Sequence, residues 1–327
     1  MDPRQLPAAL VHLVRNTKQR YVPIYKPSHE ARVPSSRKST IAMRWDYAES
    51  PGHGAWGTPS SNFNFCEEDY VITHYIAEFV NTLTNLTYVI YGIHGLRRVS
   101  PRKDGGLSST LAFPYWGLIG VGVLSAWFHA TLNYHSQMGD DLSMFLAVGA
   151  LLNQLQTFNQ PLSTRRFRTL LIVGILIPVS VYHCWADELY VHQITFATMV
   201  LLCGWEIRKL VRERISNAEQ RSKILSLANG GLATGLFGYF LWNIDEHFCE
   251  HVTAVKHAIG LPWVFIFELH GWWHILTGIG AYVGMAVVEY LVTIEDGRTD
   301  KVEDGFVWPV SAVLRNLDAA SSGKKTL

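Results

Sequence analysis

LPWVFIFELHGWWHILTGIGAYVGMAVVEYLV, residues 261–292, is the stretch that decides the architecture. Its 32 residues are nearly all apolar, well beyond the roughly 20 that an α-helix needs to cross a bilayer. Inside it stand His270 and His274. Two imidazoles at i and i+4 on a helix point the same way and lie close enough to share one ion. Histidines in such surroundings need partners, because a buried polar group without one is costly. Two readings stay open on these residues alone: bonding to backbone carbonyls, or shared ligation with a third group from elsewhere. The zincin pattern His-Glu-x-x-His is excluded, since Gly271 stands where that motif has its general base.

The rest of the chain agrees with a membrane setting. Of 327 residues 48% are hydrophobic and only 17% charged, below the soluble average of about 25%. A net charge of +1 removes any global electrostatic case for nucleic acid. Four cysteines without a CxxC spacing build neither a disulfide scaffold nor a thiolate metal site. Residues 1–63 carry Pro, Ser and nine Lys/Arg without a sustained period, so they read as poorly ordered. The functional chain is expected to begin at Met43, because residues 1–42 hold eight of those cations.

From Tyr75 onward the sequence predicts seven membrane helices, at Tyr75–Leu96, Leu111–Leu132, Leu142–Phe158, Thr169–Trp185, Val191–Trp205, Leu225–Ile244 and Pro262–Val292. Gly231/Gly235 and Gly280/Gly284 have the small-xxx-small spacing that permits close helix contact. The short loops after the first, third and fifth segments hold 13 Lys/Arg, whereas loops 133–141, 186–190 and 245–260 hold only Lys256. Because Lys and Arg stay cytoplasmic, the N-terminus is expected outside or in a lumen and the C-terminus in the cytosol.

Ionisable residues inside membrane segments mark functional sites. Ser125 and His129 share one face at the end of the second segment, Asp140 and Asp141 follow in the expected loop, and His270 and His274 fall in the same lumenal half. Three histidines plus water form a catalytic zinc set, with a carboxylate for proton transfer and a hydroxyl for an oxyanion; a hydrogen-bonded helix network accounts for the spacing equally well. A second cluster, Asn64, Glu67, Asp69 and Glu78, offers the oxygen ligands that suit calcium without the EF-hand spacing. Composition alone favours the plainer account, an acidic helix start aligned with the helix dipole.

Taken together, WGTP (56–59), NFCEEDY (64–70), YIAEF (75–79), SAWFHATL (125–132), Asp140, LWNID (241–245) with Phe248 and Cys249, and HGWWHILTG (270–278) closely resemble the alkaline ceramidases. The resemblance implies a seven-helix membrane amidase, with a poorly ordered extension at 1–55, a catalytic domain at 56–295 and a cytosolic tail at 296–327. It implies zinc on His129, His270 and His274, with Ser125 and Asp140 completing the catalytic site. Calcium would sit on Asn64, the Phe65 carbonyl, Glu67, Asp69 and Glu78. The family usually has Asp then Asn where this chain has Asn64 and Asp69, an exchange that keeps the carboxylate count. Cys66 and Cys249 match a family disulfide. The implied substrate is a ceramide-type lipid and the implied residence the endoplasmic reticulum or Golgi, with no obligatory protein partner. A seven-helix receptor of the same superfamily and a hydrolase acting on lipid-anchored proteins are the alternative readings.

Overall fold

A backbone removed from water must satisfy its own N–H and C=O groups, and a helix does so within one segment. The apolar runs accordingly become helices in the computed structural model, which describes residues 45–99, 110–293 and 305–315. In chain order they are α1 (Phe79–Thr84), α2 (Leu86–Val99), α3 (Phe113–Thr131), α4 (Tyr134–Thr157), α5 (Leu162–Ala186), α6 (Tyr190–Arg214), α7 (Ala218–His247), α8 (Cys249–Ile259) and α9 (Leu269–Thr293). A 3-10 turn, Trp263–Phe267, leads into α9. No β-strand forms among the described residues; only isolated bridges such as Trp45 with Leu261 occur. The architecture is all-α, and α5, α7 and α9 are long and apolar enough to cross a membrane.

Several expected boundaries move: α5 starts at Leu162 rather than Thr169, α6 runs to Arg214 rather than Trp205, and α7 starts at Ala218 rather than Leu225. The first segment breaks at Asn85 into α1 and α2 and starts at Phe79 rather than Tyr75. Ala77 and Glu78 stay outside the helix, and their N–H groups donate to the Ala130 and His129 carbonyls at 3.0 and 2.9 Å. They thereby satisfy carbonyls in the last turn of α3, which an α-helix leaves without internal partners. Asp140 and Asp141 are not in a loop, because α4 begins at Tyr134. The last segment begins at Leu269, so α9 opens one residue before His270.

The core lies between α2, α3, α4 and α9, where Tyr115, Phe145, Leu152, Tyr282 and Leu291 are buried. α9 also packs along α7. A Cβ on Gly280 would stand 2.6 Å from the Gly231 carbonyl oxygen, so close approach requires glycine there. Gly284 faces open space and plays no such part. α5 is peripheral and exposes Leu170, Ile177, Val181 and Trp185. Residues 305–315 dock at the opposite end from the histidines, burying Phe306, Val310 and Leu314. Residues 1–44 and 316–327, and with them the expected start at Met43, lie outside the described residues.

Candidate metal and catalytic centre

α3 presents His129 and α9 presents His270 and His274, one turn apart. All three are buried, and their ligand atoms lie within 4.8 Å of one another. Ring centroids are 5.0 Å apart for His129–His270, 4.8 Å for His129–His274 and 4.5 Å for His270–His274. The second nitrogens explain which atoms face inward. His129 Nδ1 donates to Glu78 Oε2 at 2.5 Å, which leaves Nε2 as a bare acceptor without a protein partner. Thr84 spends its hydroxyl proton on the Val80 carbonyl, so its oxygen accepts from His274 Nδ1 at 2.9 Å. His270 stacks on Phe65 at 3.6 Å between centroids, and its Nδ1 also lacks a partner. Buried ring nitrogens held as acceptors around one point, with a carboxylate behind one ring, fit a divalent cation that favours nitrogen ligands.

Ser125, one turn before His129, lies close to Asp140 on α4. Both line a cavity of about 450 Å³ together with His270 and His274. The remaining wall is chiefly apolar, including Phe128, Met144, Trp273 and Met285, and runs from the histidines to Arg208 on α6. Five residues read from the sequence as one catalytic set are therefore brought together. His129 alone of the five stands behind the cavity surface, on the side of Glu78.

The oxygen-rich cluster is gathered too, but its members already have work. Glu67 accepts from the N–H groups of Val80 and Asn81 at 2.6 and 2.8 Å, capping α1 across 13 residues of chain. Glu78 accepts from the Phe65 N–H at 3.1 Å and from Asn81 Nδ2 at 3.0 Å, in addition to His129. Asn64 Nδ2 donates to Asp69 Oδ2 at 3.0 Å, while Asn64 Oδ1 and Asp69 Oδ1 are buried without partners. Burial, with Glu78 adding repulsion, pushes the Asp69 carboxyl up to about 7, and Glu67 rises for the same reason with Glu268 and Glu78 close by. Buried carboxyls beside two orphaned oxygens fit a hard cation. They do not fit the solvated acidic cap that composition favoured.

Supporting residues surround the site, of which Lys256 and Glu268 belong to none of the family motifs quoted above. Cys66 and Cys249 form a disulfide, and the Cys66 N–H donates to Asp245 Oδ2 at 2.9 Å. Lys256, fully buried on α8, donates to the Cys66 carbonyl at 2.6 Å and to Glu268 Oε2 at 3.0 Å. Glu268 lies two residues before His270, so this ion pair ties the acidic segment to the start of α9. The clue in the sequence was that Lys256 is the one cation in three loops otherwise free of Lys and Arg.

The amino-acid sequence matches known proteins. A family model described as Ceramidase matches residues 57–317. The alkaline ceramidase YPC1 of Saccharomyces cerevisiae is 32% identical over 266 residues, covering 77% of this chain and 83% of its own length. Alkaline ceramidase 3 of Mus musculus is 28% identical, covering 78% and 93%, and the alkaline ceramidase of Drosophila melanogaster is 26% identical, covering 76% and 81%.

Proposed function

The chain belongs to the ceramidase family, and on that footing we propose that it is an alkaline ceramidase, hydrolysing the amide bond of ceramide to a sphingoid base and a fatty acid. The observation that carries this reading is the meeting of three buried imidazoles with Ser125 and Asp140 at the head of an apolar cavity. His129, His270 and His274 would hold zinc, which when bound supplies carbonyl polarisation and an acidified water. Asp140 takes the proton of the attacking water and returns it to the leaving amine, which must depart as a neutral base. Ser125 donates to the oxygen that becomes negative in the tetrahedral intermediate. The apolar wall receives the hydrocarbon chains and keeps bulk water from the reacting amide.

Calcium is assigned to Asn64, the Phe65 carbonyl, Glu67, Asp69 and Glu78, supported by the two orphaned oxygens and the buried carboxyls beside them. We further assign seven membrane crossings, α1 and α2 jointly forming the first, with the histidine end lumenal and the C-terminus cytosolic. The 13-to-1 loop cation asymmetry supports that orientation. A disulfide at the histidine end accords with an oxidising lumen, and so with residence in the endoplasmic reticulum or Golgi. The catalytic domain is taken as 56–295, with 1–55 and 296–327 as appendages.

The test is metal analysis and turnover of purified His129→Ala, His270→Ala and His274→Ala on a ceramide panel. Each variant is expected to lose zinc and at least 10²-fold in rate, given roughly what a lone catalytic group supplies. Full zinc with full turnover in any one of them overturns the triad. Zinc retention by the wild type without ceramide cleavage overturns the substrate assignment.

A further inference from the structure

Beside Asp140 lies a second buried cluster that the proposed reaction does not use, two of whose members, Asp141 and His192, border the same cavity. Asp141, the next residue on α4, extends its carboxylate to His183 on α5, Oδ2 to Nε2 at 3.0 Å. The other nitrogen of His183, Nδ1, meets the Glu188 carbonyl oxygen at 2.7 Å. On α6, His192 Nε2 donates to the backbone carbonyl of Asp141 at 3.0 Å and the ring lies 5.0 Å from that of His183. His183 is fully buried and Asp141 and His192 nearly so. α5 and α6 therefore both converge on one residue of α4, and that residue adjoins Asp140.

We propose that Asp141 and His183 are positioning residues of the catalytic centre, joined by a shared proton that holds the start of α4 and hence Asp140 against Ser125. The inference rests on the assignment of Asp140 to proton transfer. The bonding pattern leads to it directly. A carbonyl oxygen only accepts, so His183 Nδ1 must carry a hydrogen to bond Glu188. Nε2 then faces a carboxylate oxygen, and the contact is attractive only if one further proton sits on either atom. Remove that proton and two lone pairs face each other at 3.0 Å in a buried site.

Other titratable groups surround the pair, and of these Asp187 Oδ1 and Glu188 Oε1 are buried oxygens without a partner. α4 adds Asp140, and Tyr134, whose hydroxyl bonds the Cys184 carbonyl. α5 adds the Cys184 thiol, the α5–α6 turn adds Asp187 and Glu188, and α6 adds His192. Asp187 is engaged by Asn62, Glu188 Oε2 accepts from the Val191 N–H, and His192 spends Nε2 on Asp141. Loss of the proton at high pH thus loosens the Asp141 anchor, and a displacement of about 1 Å at a catalytic group can cost roughly 100-fold in rate.

Two isosteric variants make the contact independent of the proton. In His183→Gln the amide N–H donates to Asp141 at every pH. In Asp141→Asn the new amide N–H donates to the bare Nε2 of neutral His183. The experiment is the pH–rate profile of purified full-length protein on ceramide in micelles, with KM and kcat separated, alongside His183→Ala and Asp140→Asn. The expected result is that both isosteres lose less than tenfold at neutral pH, and that the fall in kcat on the alkaline side of the wild-type profile moves up or disappears in both. His183→Ala is expected to lower kcat at all pH values with KM little changed. An alkaline fall that is unchanged in both isosteres overturns the inference, as does a wild-type profile without such a fall. If instead Asp140→Asn keeps full turnover, the catalytic assignment of Asp140 has failed, and that outcome is separate from the behaviour of the isosteres.

Discussion

Replacing Lys256 by Met removes one charge from a site where every partner is fixed. Lys256 and Glu268 have side chains 0% and 1% exposed, so neither solvent nor salt screens their contact. Three short bonds are lost at once: to Glu268 Oε1 and Oε2 at 3.2 and 3.0 Å, and to the Cys66 carbonyl at 2.6 Å. Methionine matches the stem but leaves a buried carboxylate without its cation, a change that costs about 3–5 kcal/mol. For a domain of this size each kcal/mol lowers the melting temperature by about 2–4 °C, so a fall of roughly 6–20 °C is expected. Thermal unfolding of the detergent-solubilised protein reads it. Adding Glu268→Leu to Lys256→Met removes the stranded charge, and the double variant should recover at least half of the loss. A single variant melting within about 2 °C of wild type, or a double variant worse than the single, refutes the reasoning.

Other perturbations give sharper chemical readouts. Asp140→Asn keeps the shape and the metal ligands but cannot move a proton, so it should retain full zinc while turnover drops by roughly 10²–10⁴-fold; wild-type turnover in a zinc-loaded variant removes Asp140 from the mechanism. Calcium binding should weaken as pH falls. The Asp69 carboxyl is raised from 3.8 to about 7, so in calcium-free protein the folded state binds that proton more tightly than the unfolded chain. Calcium-free stability therefore declines as pH rises from about 4 through 7, and calcium, which replaces the proton, restores it. The calcium-induced rise in melting temperature is expected to be larger at pH 8 than at pH 6, and equal rises at the two values count against the site.

What the sequence could disclose follows from period and spacing. His270 and His274 were legible because four residues bring side chains back to one helix face, and the small-residue contact was half legible: Gly280 meets Gly231, but Gly284 meets nothing. The start of α4 was not legible. Asn133, His135, Gln137, Asp140 and Asp141 read as a polar loop, yet Ser136 and Gln137 are 0% and 2% exposed and face inward. A helix that turns its polar face toward a buried site has no apolar stripe to announce it. His183 and His192 escaped notice for a related reason, since each becomes informative only beside Asp141, about 40 and 50 residues away.

Glu78 shows most clearly how the two polar clusters depend on one another. Its backbone N–H donates to the His129 carbonyl at 2.9 Å while its carboxylate receives the His129 ring at 2.5 Å. Main chain and side chain of one residue thus grip the same histidine, setting both its position and its tautomer. The other carboxylate oxygen takes the Phe65 N–H, and the Phe65 ring lies against His270. A shift in the segment from Asn64 to Glu78 therefore reaches two of the three imidazoles without crossing the cavity. The acidic segment is held in turn by the bonds from the start of α1 to Glu67, by the Cys66–Cys249 disulfide and by Lys256. Because buried ligands tolerate little displacement, a cation that gathers Asn64, Glu67 and Asp69 acts on the same framework that orients His129. On the proposed assignment of the three histidines, the segment before α1 would thereby belong to the catalytic architecture without any of its side chains touching the scissile amide.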